Sequence, residues 1–288
     1  MIDYDYRKPE NVKEVFSFLK DYGPKATLIA GGTDVMVKIR NRHLSPEVLV
    51  SLRGLEELRY ITKKKGYHIG AMTTHGMLEH SDMVRTELSA LHDGASRVGS
   101  VQIRNVATVG GNICNASPSA DTAGPLLVLD ATLILEGPDG RRTVPIVDFF
   151  TGPSKTVRQQ DEILIEFDIP EEMSGFGSAY WKHSRRKAMD LPILGVAVAV
   201  RLADDETVSD VRIGLTVAAP TPIRAYKAEE FLMGKRLDDD VLEAAGRIAS
   251  SESSPRDSMR GKEWYRRDII HVFVPRMARL AAERLRNQ

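Results

Sequence analysis

Two stretches carry the residue types that hold an anion without a metal. The first is Ile29-Ala30-Gly31-Gly32-Thr33-Asp34-Val35, and the second runs from Ala107 to Asp121 as Ala-Thr-Val-Gly-Gly-Asn-Ile-Cys-Asn-Ala-Ser-Pro-Ser-Ala-Asp. Gly31, Gly32, Gly110 and Gly111 permit positive φ and close approach of a ligand to the main chain, while Thr33, Thr108, Asn112, Asn115, Ser117 and Ser119 offer short hydrogen-bonding groups. Backbone N–H groups exposed by such a turn, with a helix starting just after it, suit a diphosphate. Asp34 is expected to cap that helix, because within an anion site it would repel. Taken alone, the second stretch also reads as an ordinary polar loop; the earlier turn gives it force. Neither is a Gly-x-Gly-x-x-Gly fingerprint or a P-loop, and neither pattern occurs elsewhere, which disfavours a doubly wound nicotinamide dehydrogenase and a P-loop NTPase.

The elements that must position these turns follow from apolar periodicity. Val12, Val15, Phe16 and Leu19 recur at helical spacing until Gly23. Thr27 to Ala30, the glycine turn, a helix from Val35 to Arg40 and the run Val48 to Leu52 make a βαβ-like unit, with the turn at the carboxyl end of a buried strand. A hairpin follows, Leu58 to Thr62 and Tyr67 to Met72 about a lysine-rich turn. Val84, Leu88, Leu91, Ala95 and Val98 predict one helix from Ser81 to Val98 that leads into the second stretch. A short helix at Pro125 to Leu129, a hairpin about Gly137-Pro138-Asp139-Gly140 and a strand from Ile163 to Ile169 come next. Beyond Glu171 to Gly175, strands at Phe176 to Lys182, Leu194 to Leu202 and Val208 to Val217 precede helices near Tyr226 to Met233, Leu237 to Ser251 and Glu263 to Arg286, and Pro275 is expected to kink or split the last.

Composition narrows the function. Forty basic and forty acidic residues cancel in a chain of 288, so no global field attracts nucleic acid or an anionic membrane. Cys114 is the single cysteine, which excludes an internal disulfide and any cluster held by several thiolates of this chain. No leader-like segment or membrane-length apolar run occurs, so a soluble, cytoplasmic protein is expected. The seven histidines have no metal-ligand spacing and read as surface or packing residues.

With both turns in view, the chain resembles the flavin-binding medium subunit of the molybdenum hydroxylases, the family of xanthine dehydrogenase and carbon monoxide dehydrogenase. The resemblance rests on Ile29 to Asp34, Gly54-Leu55-Glu56-Glu57-Leu58, Ala107 to Asn112, Ser117-Pro118-Ser119-Ala120-Asp121 and Ser184-Arg185-Arg186 with Asp190, in register over nearly the whole chain. It implies an α+β fold: a two-lobed FAD-binding region of the vanillyl-alcohol oxidase/cresol methylhydroxylase type at residues 1–175, with lobes at about 1–56 and 57–175, then a C-terminal flavoprotein domain at 176–288 with a three-stranded antiparallel sheet and helices. It also implies that Ile29 to Val35 and Thr108, Val109, Gly110, Gly111 and Asn112 wrap the FAD diphosphate. Asp121 would bind a ribityl or ribose hydroxyl, Leu164 and Lys182 would lie near the flavin ring, and Cys114 would be a contact of the second loop. Two departures stand out. The cysteine-bearing insertion of 4-hydroxybenzoyl-CoA reductase is missing, and Leu191-Pro192 follows Asp190 where carbon monoxide dehydrogenases place an aromatic residue.

The expectation is an electron-transfer subunit that binds FAD non-covalently and passes electrons from a partner's [2Fe–2S] clusters to an external acceptor. No residue of the chain need act as nucleophile or base. The implied partners are a small iron–sulfur subunit and a large molybdopterin subunit, assembled as a dimer of heterotrimers, with no nucleic acid. The rivals are a self-sufficient FAD oxidoreductase and a flavin-free structural or assembly subunit; intact glycines at 31, 32, 110 and 111 speak against the latter. A β-carbon at Gly32 or Gly111 is expected to displace the flavin.

Overall fold

Apolar runs set the sheets, and the polar turns between them set the order. The computed structural model describes residues 3–288. At the N-terminal end, β1 (Asp5–Arg7), β2 (Ala26–Ile29) and β3 (Val48–Ser51) form a parallel sheet in the order β1-β3-β2, connected through α1 (Val12–Tyr22) and α2 (Val35–Arg40). Asn11 starts α1 by accepting the Glu14 N–H at 3.1 Å, and Gly23 ends it at φ +50°, as a left-handed C-terminal residue should. Val15 and Leu19 turn inward against Val48 and Val50.

The second lobe is an antiparallel sheet of β4 (Ile61–Lys63), β5 (Tyr67–Gly70), β6 (Thr132–Gly137), β7 (Gly140–Pro145) and, later in the chain, β10 (Ile163–Ile169), in the order β4-β5-β10-β6-β7. A small ribbon of β8 (Phe150–Gly152) and β9 (Lys155–Thr156) precedes β10. Between β5 and β6 lie six short helices, α3 (His75–His80), α4 (Asp82–Glu87), α5 (Ser89–Ser96), α6 (Val101–Arg104), α7 (Val109–Cys114) and α8 (Ala123–Val128). Here the single helix expected over Ser81 to Val98 is two. The predicted face is right, since Val84, Leu88, Leu91 and Ala95 are all fully buried, but Leu88 leaves helical geometry at φ −124°, ψ 48°. Ser89 supplies the competing local bond, its hydroxyl donating back to the Arg85 carbonyl at 3.0 Å.

The third sheet joins β11 (Gly177–His183), β12 (Leu194–Leu202), β13 (Val208–Thr216) and β14 (Ile223–Arg224) antiparallel, under α9 (Tyr226–Leu232), α10 (Asp239–Glu252) and α11 (Glu263–Arg286). It has four strands, not three: β14 pairs Ile223 with Leu215 and Arg224 with Gly214, and two residues carry no readable period. Pro275 does not split α11, which runs unbroken from Glu263 to Arg286. The stretch around Pro275 is braced by Gly246 of α10, where a β-carbon would stand 2.3 Å from the His271 carbonyl oxygen.

The second and third sheets meet at α8, whose residues are all buried. Gly124 and Gly214 bring helix and strand together with no side chain between them; a β-carbon on Gly214 would lie 2.7 Å from the Gly124 carbonyl oxygen. Arg284 of α11 adds a clamp, donating to Asp93 of α5 at 2.7 Å while Asp93 also accepts the Tyr180 N–H at 3.1 Å. Among the described residues, no helix is long and apolar enough to cross a membrane.

Candidate functional site

The first turn leaves β2 at its carboxyl end. Gly32 adopts φ +75°, a conformation that glycine takes without strain. The successive backbone N–H groups of Gly31 through Val35 have no protein acceptor among the described residues; the first bond back into the turn is Met36 N–H to the Gly32 carbonyl at 3.0 Å. Such a row of free donors beyond a buried strand is suited to an oxyanion. Asp34 does stand just before α2, yet its side chain makes no capping bond, so the capping role expected for it is not realised.

The second stretch is built differently from the open cradle expected. Its first half is α7, so Gly110 and Gly111 are helical. Thr108 caps it, its hydroxyl accepting the Gly111 N–H at 3.1 Å, while Val109 and Gly110 donate to the Thr73 and Ala71 carbonyls at 3.0 and 2.9 Å and Asn112 donates to the Thr108 carbonyl at 2.9 Å. Those amides are therefore already used. Gly110 is required by packing: a β-carbon there would meet the Ala71 carbonyl oxygen at 2.5 Å. The Asn112 side chain accepts from the Thr122 hydroxyl at 2.7 Å.

What the second stretch does is buttress the first. A β-carbon on Gly31 would fall 2.1 Å from the Val106 carbonyl oxygen, one on Gly111 would lie 3.6 Å from the Ala30 β-carbon, and Lys38 of α2 donates to Asn115 at 2.7 Å. Between the two lobes lies a cavity of about 270 Å³, and of the residues expected at the site Ala30, Gly31 and Thr108 line it. Arg53, Arg59, Met72, Thr74, Met77, Asn105 and Val106 line it too and were not anticipated. Arg53 adjoins the Gly54-to-Leu58 motif and Asn105-Val106 adjoin Ala107, which was the available signal; nothing in the sequence marks the two methionines. Arg59 is held by Glu56, donating to its two carboxylate oxygens at 2.8 and 3.1 Å.

The remaining residues expected at the site lie away from that cavity. Ile29 is buried in a small cluster against which Val35 packs, and Thr33 is half-buried in the turn itself. Asp121 and Lys182 meet each other: Lys182 donates to Asp121 at 2.7 Å and to the Arg97 carbonyl at 3.0 Å, and the Tyr180 hydroxyl donates to the other Asp121 oxygen at 3.0 Å. Burial pushes the Asp121 carboxyl up to about 6 against the pull of Lys182. Leu164 is a core residue of β10, opposite Leu135 and beside a β-bulge. Burial pushes the Cys114 thiol up to about 11, so it is protonated and unreactive at neutral pH.

His75 opens α3 beside the cavity wall. It is fully buried, both ring nitrogens are without a partner among the described residues, and its main-chain N–H donates to the Ala107 carbonyl at 3.0 Å. Burial, with Arg104 nearby, lowers its pKa to about 4. The folded state therefore holds it neutral while the unfolded chain takes up a proton below about 6.5, so its contribution is intact above that pH and is lost as pH falls toward 4. Going from pH 7 to pH 5 is expected to cost about 2 kcal/mol through this group. Urea unfolding of wild type and His75→Leu at the two pH values checks this: the variant should gain about 2 kcal/mol on wild type between pH 7 and pH 5, the Asp121 contribution being common to both.

Family models match both parts of the chain: "FAD binding domain in molybdopterin dehydrogenase" over residues 2–172 and "CO dehydrogenase flavoprotein C-terminal domain" over residues 179–281. The chain is 37% identical over 281 residues to a xanthine dehydrogenase FAD-binding subunit from Escherichia coli O157:H7, covering 96% of each. It is 34% identical over 274 residues to the carbon monoxide dehydrogenase medium chain of Hydrogenophaga pseudoflava, covering 95% of each. A solved structure of carbon monoxide dehydrogenase from Hydrogenophaga pseudoflava, in a form lacking the Mo-pyranopterin moiety of its cofactor, superposes with a TM-score of 0.93 at 34% identity over 98% of both chains.

Proposed function

This chain belongs to the family of FAD-binding medium subunits of the molybdenum hydroxylases, and we propose that it passes electrons from a partner's [2Fe–2S] clusters through non-covalent FAD to an external acceptor. It is a flavoprotein component of an oxidoreductase, and the bound flavin supplies the redox chemistry. The observation that carries the reading is the row of free N–H groups from Gly31 to Val35, locked in place by backbone contact between Gly31 and Val106. Those donors fit a diphosphate, and their geometry is fixed before any ligand arrives.

The chain's own residues then divide the work. Gly31 to Val35 bind the diphosphate, with Ile29 and Ala30 setting the approach of the strand. Thr108 to Asn112 hold that turn from behind, and Cys114 packs against the core of the second lobe beside them. Asp121 keeps lone pairs for a ribityl or ribose hydroxyl, and Lys182 and Leu164 border the ring. The FAD-binding region occupies 1–175 and the C-terminal domain 176–288 in this proposal. With one cysteine in the chain, the iron–sulfur clusters and molybdopterin belong to a small and a large companion subunit. We place the assembly in the cytoplasm, as a dimer of heterotrimers.

Purification of the tagged chain from its native host tests this. About one FAD per chain, released by heat or acid, is expected, with iron and molybdenum accompanying it in the companion subunits. A colourless chain that takes up no FAD would sink the flavin reading. A flavin-loaded chain that turns over an organic substrate alone, with no iron or molybdenum, would sink the subunit reading.

A further inference from the structure

Arg53 lies just beyond β3 and lines the same cavity as Gly31. The other cations nearby are engaged: Arg59 with Glu56, Arg104 with Glu79 at 2.7 and 3.0 Å, and Lys38 with Asn115. The Arg53 guanidinium is different. Its main chain is tied down, the N–H donating to the Ser51 hydroxyl at 3.3 Å and the carbonyl accepting from Arg59 at 3.0 Å, but its side chain is exposed and has no hydrogen bond or ion pair among the described residues.

Charge and shape give that guanidinium a task. The N–H groups of Gly31 to Val35 are neutral donors, Asp34 beside them is acidic, and a diphosphate brings two negative charges. A fork of N–H donors on the cavity side supplies the missing positive charge with matching geometry. The rest of the cavity does not resemble a phosphate site. Met72, Met77 and Val106 give it an apolar, polarisable patch, and Asn105, Thr74 and Thr108 set an amide and two hydroxyls around that patch. An apolar, polarisable patch of two methionines and a valine with hydrogen-bonding groups around it suits a purine, which is flat and apolar on its faces and hydrogen-bonding at its edge.

On the footing that FAD is the bound cofactor, we propose that Arg53 is a specificity-determining residue: it pairs with the phosphate that bears adenosine and steers the adenosine half into the cavity against Met72 and Met77, so that the chain selects FAD over FMN. The full-length chain, stripped of flavin, is titrated with FAD and with FMN by flavin fluorescence, and with ADP as competitor against FAD. Wild type should prefer FAD to FMN and should be competed by ADP. Arg53→Gln should weaken FAD and ADP together by about 30-fold, leave FMN within about threefold, and flatten the salt dependence of FAD binding. Arg53→Lys should restore part of the loss. The thermal midpoint of the apoprotein should not move, since the side chain is exposed. Unchanged FAD and ADP binding in Arg53→Gln, or an equal loss of FMN, overturns the proposal while leaving FAD as the cofactor. A wild-type chain that binds no FAD overturns both.

Discussion

Gly31→Val is expected to bind FAD about a hundredfold more weakly than wild type and to purify nearly free of flavin. Any β-carbon at this position stands 2.1 Å from the Val106 carbonyl oxygen and 2.8 Å from the Ala107 α-carbon, and neither is the tip of a side chain that can swing away. The lobes must separate or the turn must move, and forcing atoms into a packed junction costs about 3 kcal/mol, which is the hundredfold. The other motif glycines should matter less, although sequence alone pointed to Gly32 and Gly111. At Gly32 a β-carbon meets the flexible Ile29 Cδ1 at 3.1 Å, and its main penalty is the left-handed φ, about 1–2 kcal/mol. At Gly111 the close neighbour is the Thr108 hydroxyl at 3.0 Å. Flavin content and circular dichroism of Gly31→Val, Gly32→Ala and Gly111→Ala give the ranking; full flavin occupancy in Gly31→Val would remove the Gly31–Val106 contact from the account of the site.

Lys182→Met is expected to destabilise the apoprotein by about 3–5 kcal/mol at pH 7, because it leaves the Asp121 carboxylate buried without its counter-charge. Asp121 and Lys182 are 7% and 6% exposed, so water cannot substitute. The pH dependence carries a second signature. The Asp121 pKa is already raised in the folded state to about 6, so its stabilising contribution is complete below its unfolded value near 3.8 and is lost as pH rises through 6. Removing Lys182 lifts the carboxyl further, so the variant's deficit should shrink from pH 7 to pH 5 as Asp121 takes a proton. The His75 effect is common to both proteins and cancels. Urea unfolding at the two pH values decides it: a deficit that stays constant, or no deficit at pH 7, means the pair does not work as described. Asp121→Leu combined with Lys182→Met should recover much of the loss.

Local rules made much of this molecule readable. Thr27 to Ala30 and Val48 to Leu52 are apolar runs of strand length on either side of a glycine turn, and they pair in parallel as that pattern implies. Ile163 to Ile169 is a strand end to end, because both its flanks and its apolar alternation agree. What escaped was what lies between elements. The contact of Gly31 with Val106 and the pairing of Asp121 with Lys182, 61 residues apart, depend on lobes that no local period describes. The same limit applied to α7: Thr108 looks like one more polar loop residue until it is seen capping a helix, and the capping spends the very amides that seemed free. Arg53 shows the opposite case, a residue next to a readable motif whose significance lies in a missing partner.

The backbone-on-backbone seat of Gly124 against Gly214 bears on how the Asp121–Lys182 pair is held. Asp121 lies just before α8 and Lys182 on β11, so the two sides of that seat carry the two ends of one ion pair. Helix and strand are so close there that a side chain on Gly214 would not fit, and no rotamer change sets their spacing. The spacing of α8 from the sheet is thus written into the main chain. Asp121 and Lys182 are therefore carried on elements already at their final spacing, and their ion pair closes without any adjustment of helix against sheet.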